Sequence, residues 1–146
     1  MGNAYSEQNT AWRQKLAAVV QRLSDKDMGR TTGTSGWTVA GVLGHLAFYD
    51  QRALTLLNKW EKDGITPTSI DINVVNDAMR PLLNAVSPRA AARLIVEAAT
   101  AIDAAIEGLD ASFLKKIESD GTALKLNRAT HREHHLAQIE RVLSAS

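Results

Sequence analysis
The chain has 146 residues, 45% of them apolar and 23% charged, ordinary globular proportions that exclude the disordered, collagen-like and coiled-coil classes. That length suits one compact domain over residues 1–146 with no need of a stabilising disulfide or metal, so a bound metal would serve function. Seventeen Lys and Arg against sixteen Asp and Glu leave a net charge of +1 without blocks of either sign, which argues against nucleic acid as a partner.

Cysteine is absent, so thiolate nucleophiles, disulfides and Cys-bearing zinc sites are excluded together and any metal must take N and O ligands. The longest apolar run, Leu16 to Val20, is far below the ~20 residues that span a bilayer, and no basic-then-apolar leader precedes it. A cytoplasmic protein with no membrane partner is expected. Met1 to Ser6 fits an N-myristoylation template, but Arg13 is the first basic residue and no second membrane signal follows.

Apolar residues recur three and four apart throughout, and alternating strand patterns are missing. Trp12, Leu16, Val19, Val20 and Leu23 form the stripe of a first helix, which gives out in a loop over Ser24 to Gly36 containing Gly29, Gly33 and Gly36. Thr38 can cap a long second helix with the stripe Val42, Leu46, Tyr49, Ala53, Leu56, Leu57 and Trp60, ending before Gly64 and Pro67. Residues 65–86 predict a short helix from Asp71, kinked by Pro81. Ser87-Pro88 starts the third long helix, with the stripe Ala91, Leu94, Ile95, Ala98, Ile102, Ala105, Ile106 and Leu109. Asp110 caps a brief turn through Ile117, and a final helix runs from just after Asp120-Gly121 to about Leu143. Four long helices with core stripes predict an all-α four-helix bundle.

Three of the four histidines, His131, His134 and His135, lie in the last helix. His131 and His135 are about 40° apart around a helix, so both imidazoles can converge on one ion, whereas His134 lies about 60° to the other side and suits an exposed or supporting role. His45 points to the core from the second helix with Val42 and Tyr49 on its face. Two His on one helix and a third on another would meet the need of a catalytic Zn²⁺ or Ni²⁺ site with an open position. An isolated H-x-x-x-H also fits surface or hydrogen-bonded core histidines. Gln138, one turn beyond His135, could orient a ligand, and Tyr49 could offer a hydroxyl.

Trp37-Thr38 followed by His45-Leu46 resembles the W-[ST]-x6-H-L signature of the DinB-like superfamily, also called the YfiT-like metal-dependent hydrolases. His131-x3-His135-x2-Gln138-Ile139 is similar to its closing H-x3-H-x2-Q-I. That superfamily includes thiol-dependent S-transferases and the N-terminal domain of mycothiol-dependent maleylpyruvate isomerase. The resemblance covers nearly the whole chain, including Asn73 and Asn76 where relatives often carry asparagine. It implies an up-down-down-up bundle, often a homodimer, with His45, His131 and His135 as the metal ligands. Gly41 and Gly44 depart from the pattern, and either close helix packing or room beside the metal would account for them.

The function expected from this pattern is transfer of a low-molecular-weight thiol, such as bacillithiol, mycothiol or glutathione, to an electrophilic small-molecule substrate. A metal-hydroxide hydrolase is the second reading, but Glu133, the nearest acid, lies about 200° from His131. A non-catalytic ligand-binding bundle is the third. Arg128, Arg132 and Arg141 could bind an acidic substrate, although a solvated helix face explains them more simply.

Overall fold
A computed structural model describes residues 2–121 and 123–145, so Met1 of the acylation pattern lies outside the described residues. Among these, seven helices form in chain order: α1 Ser6–Arg22, α2 Asp25–Met28, α3 Val39–Asp63, α4 Ile72–Asn84, α5 Pro88–Glu107, α6 Ala111–Asp120 and α7 Ala129–Ser144. No strand and no helix long and apolar enough to cross a membrane occurs among the described residues.

Two apolar clusters reveal the helix directions. Leu16, Val19 and Val20 from the end of α1 and Leu136 and Ile139 from the later part of α7 pack with Val42, Leu43 and Leu46 from the start of α3 and Ala91 and Ile95 from the start of α5. The second cluster joins the ends of α3 and α5, through Leu57, Trp60, Ile102 and Ile106, to Ile117, Leu124 and Leu126. So α3 and α5 run together while α1 and α7 run against them, the up-down-down-up bundle. Two parallel neighbours need a return crossing, and α4 provides it: its last residue, Asn84, comes back to Thr38 at the start of α3.

Local chemistry explains most boundaries. Thr38 caps α3 by accepting from the Gly41 amide, and Gly64, with φ of 90°, ends it in a backbone region open to glycine. Ser87 caps α5, with Pro88 in its first turn. The glycine-bearing loop after α1 contains an unforeseen single turn, α2, because Ser24 and Asp27 form a reciprocal capping box. Helix α4 does begin after Asp71 but continues through Pro81, which lies inside it. Helix α6 runs to Asp120 rather than Ile117. The last helix starts at Ala129, later than the pattern suggests, because the Asn127 side chain accepts from the Ala129 and Thr130 amides and so sets its first turn. On α5 the core face is turned slightly from the expected stripe: Ala92 and Ala99 are buried while Leu94 is 40% exposed.

Gly41 owes its place to close packing and not to room beside a metal. A Cβ there would lie 2.0 Å from Asn84 Oδ1, and one on Gly44 would lie 3.3 Å from Leu83 Cδ2. Asn84 Oδ1 accepts from Thr38 N and Oγ1, and its amide donates to Gly36 O at 2.8 Å. Gly41→Ala gains about 1 kcal/mol of helix propensity but displaces this clasp, so a net loss of about 1–2 kcal/mol is expected from denaturant melts.

Arg128, at the N-cap of α7, and Arg132 within it correct the sequence expectation. Arg132 is fully buried and donates two hydrogen bonds to Asp103, one to Asp50 and one to Asn9 O. Arg128 is buried and pairs with Asp50 at 3.0 Å, while Arg13 reaches Asp103 at 3.2 Å. Only Arg141 of the three faces solvent. This ionic layer, lying between the two apolar clusters, ties α1, α3, α5 and α7 together. No substrate anion is needed to explain Arg128 or Arg132.

Candidate metal centre
Thr38 sets the start of α3, so His45 falls two turns in, with Trp37 edge-on to its ring at 5.4 Å and Tyr49 at 5.0 Å. From α7, His131 and His135 project side by side. The Nε2 atoms of His45 and His131 are 3.1 Å apart, as are those of His131 and His135. The three rings thus each bring a nitrogen within 4.8 Å of the others.

Hydrogen bonding alone does not account for that convergence. A neutral imidazole nitrogen carries either one proton or one lone pair in the ring plane, so His131 Nε2 can join one neighbour but not both. A cation shared by three lone pairs satisfies all of them, and two nitrogens bound tetrahedrally at ~2.0–2.1 Å stand about 3.3 Å apart, close to the spacing here. The donor set thus fits a divalent metal. Burial pushes the His45 imidazole down to about 4 and His131 down to about 3, and it lowers His135; neighbouring rings add to each effect. The rings are accordingly neutral at pH 7, the form that ligates metal.

Gln138 Oε1 lies 2.7 Å from His135 Nδ1. An N–H donated there leaves the Nε2 lone pair facing His131, the orienting role expected of this glutamine. Removing that support in Gln138→Leu is expected to weaken zinc binding about 10–100-fold with the fold intact, as chelator competition would show. His134 is exposed and meets His135 only edge-on at 4.8 Å, and Glu133 faces solvent. The Tyr49 hydroxyl donates to Asn76 Oδ1 at 2.8 Å, while Asn73 is exposed.

The three histidines line one part of a cavity of 1340 Å³, above the usual size of a small-molecule pocket and roomy enough for two reactants. Tyr49 and Asn76 wall it from α3 and α4, Trp37 from the loop that enters α3, and residues 68–70 and 123–127 supply further loop walls. Arg52 also lines it and was missed in the sequence, although it continues the His45 and Tyr49 face one turn further along α3.

Comparison with known proteins gives one family match: the model of the mycothiol maleylpyruvate isomerase N-terminal domain covers residues 10–114, which include His45 but stop short of α7. No curated protein and no solved structure matches.

Proposed function
The chain belongs to the mycothiol maleylpyruvate isomerase N-terminal domain family, within the DinB/YfiT-like helical superfamily, and from that membership we propose a metal-dependent enzyme that delivers a low-molecular-weight thiol to an electrophilic small molecule. The observation that carries this reading is the meeting of three imidazole Nε2 atoms beside a cavity with space for both reactants. His45, His131 and His135 would hold zinc or nickel. When bound, the ion lowers the pKa of a thiol so that sulfur is presented as thiolate at neutral pH.

The chain's own residues prepare that site. Trp37 and Tyr49 pack edge-on against His45 and restrict water around it, and Gln138 holds the His135 tautomer. With no cysteine in the chain, the sulfur must come from a co-substrate, for which mycothiol is the first candidate given the family. Hydrolysis is less well served: among the described residues the one carboxylate lining the cavity is Glu118, and it accepts a hydrogen bond from the Tyr5 hydroxyl at 2.5 Å. A thiolate, once formed, needs no such base.

Untagged protein loaded with zinc or nickel is expected to conjugate mycothiol, bacillithiol or glutathione to monochlorobimane. The thiol sulfur forms the new C–S bond as chloride leaves, and chelation abolishes turnover. Failure to retain either metal, or no conjugation with any of the three thiols, overturns the reading. Turnover of a substrate without added thiol would assign hydrolysis instead.

A further inference from the structure
The cavity of the histidine trio is longer than three imidazoles need. Its α3 wall runs from Val42 through His45 and Tyr49 to Ala53, about 17 Å of helix rise, so an arm of about 12 Å extends beyond His45 toward α6. Val42, Tyr49 and Ala53 lie within about 40° of one another around the helix, to one side of His45, while Arg52 falls to the other. That arm is apolar. Ala53, Ile117 from α6, and Leu124 and Leu126 from the segment before α7 line it, each no more than 5% exposed.

Among the described residues, the charges near the arm are accounted for. Glu118 accepts from the Tyr5 hydroxyl, Arg128 is paired with Asp50, and Lys125, between the two leucines, is exposed. Arg52 is half-buried on the opposite flank, where its stem can cover apolar surface while the guanidinium stays hydrated. Helix α4 runs back along α3, with Asn84 at Thr38, Leu83 beside Gly44 and Asn76 at Tyr49, so Ile72, one turn before Asn76, comes level with Ala53. Ile70 and Ile72 both line the cavity and both are exposed, which leaves an apolar rim facing water. Covering such a rim and filling the arm favours an apolar ligand by about threefold to fourfold in affinity for each methylene taken out of water. A polar group placed there would lose its hydration without gaining a partner.

We propose that this arm binds an uncharged apolar substituent of the electrophile, an alkyl or aryl group reaching about 12 Å from the reacting carbon, with Ala53 setting the room at its floor and Ile72 covering its rim. The assignment to the electrophile rests on the thiol-transfer reading; the arm as an apolar ligand site does not.

Two measurements on the full chain test this. In the first, after chelation, the neutral fluorophore N-phenyl-1-naphthylamine is expected to bind saturably at one site. Ala53→Leu should weaken it at least about fivefold by filling the arm, and Ile72→Ser, a surface change that spares the fold, about threefold. Val74→Ser and Leu82→Ser, on the exposed surface of α4 and outside the cavity lining, should change it less than about twofold. Should Ala53→Leu not fold, Ile72→Ser alone decides. In the second, the metal-loaded chain transfers thiol to N-methyl and N-butyl iodoacetamide, the sulfur forming the C–S bond as iodide leaves and the thiol proton passes to buffer. kcat/KM is expected to rise roughly 30-fold from methyl to butyl in the parent and far less in Ile72→Ser.

No saturable binding, binding that Ile72→Ser leaves intact, or binding lost in Leu82→Ser would overturn the arm, the last by placing the probe on the outer face of α4. Probe binding in the arm with equal kcat/KM for the two iodoacetamides would overturn the assignment to the electrophile. Probe binding there with no conjugation of any electrophile would sink the thiol-transfer reading and leave an apolar ligand site standing.

Discussion

Replacing Arg132 with Met is expected to destabilise the protein by about 3–5 kcal/mol, the range for removing one partner from a buried ion pair. The magnitude follows from what is left behind. Asp103 Oδ1 and Asp50 Oδ2 each lose their Arg132 donor, and both carboxylates are nearly inaccessible to water. Urea or thermal melts should show the loss as a drop of roughly 10 °C in Tm for a chain of this size. The exposed pair Arg22 with Glu140 gives the contrast: its side chains are 60% and 51% accessible, so Arg22→Ala should cost under about 1 kcal/mol. A second variant separates charge from packing. Joining Asp103→Leu to Arg132→Met removes opposite charges together, leaves Asp50 paired with Arg128, and should recover much of the stability. Equal losses from Arg132→Met and Arg22→Ala, or no recovery in the double variant, would show that the layer is not held by its ion pairs.

That same layer marks where the sequence was hardest to read. Periodicity places apolar residues well, and α3, α5 and the His131/His135 face were legible because Thr38, Ser87-Pro88 and the i, i+4 spacing act locally. Asp50 and Asp103 were overlooked although each sits on a core stripe, Asp50 between Leu46 and Ala53 and Asp103 between Ala99 and Ile106. A charge in such a position signals a buried partner, but the partner is on another helix and spacing along one segment cannot name it. Arg132 illustrates the point: assigned to a solvated face, it is instead at 0% exposure because α7 turns His131 and His135 toward α3 while turning Arg132 inward to α5. The late start of α7 has a similar origin. Asn9 fixes the preceding loop by donating to Leu126 O and accepting from Arg128 N, contacts separated by more than a hundred residues. Arg52 was within reach of a sequence argument, since it continues the face of His45 and Tyr49, but only the cavity gives that face a purpose.

In the proposed metal site, His131→Ala is expected to abolish tight zinc binding, a fall of more than about a hundredfold in affinity. His131 is the central member, with its Nε2 3.1 Å from each of the other two, so its loss leaves His45 and His135 as a pair without the ligand between them. Two imidazoles do not complete the three-ligand set of a catalytic zinc site. The effect on stability follows by mass action: zinc at about a thousand times its Kd stabilises the parent by ~4 kcal/mol, which corresponds to a rise in Tm of about 10 °C. Chelation should reverse that rise, and the His131→Ala protein should show none. His134→Ala provides the control, because His134 is exposed and touches the trio only through the edge of the His135 ring. Its zinc-dependent Tm should match that of the parent. The A variant at 131 also removes a buried ring without removing charge, since burial keeps that imidazole neutral at pH 7, so its metal-free fold should survive with a modest packing loss. Were the parent to gain no stability from zinc or nickel, or His131→Ala to gain as much, the convergence of these rings would belong to core packing and the enzyme reading would lose its electrophile.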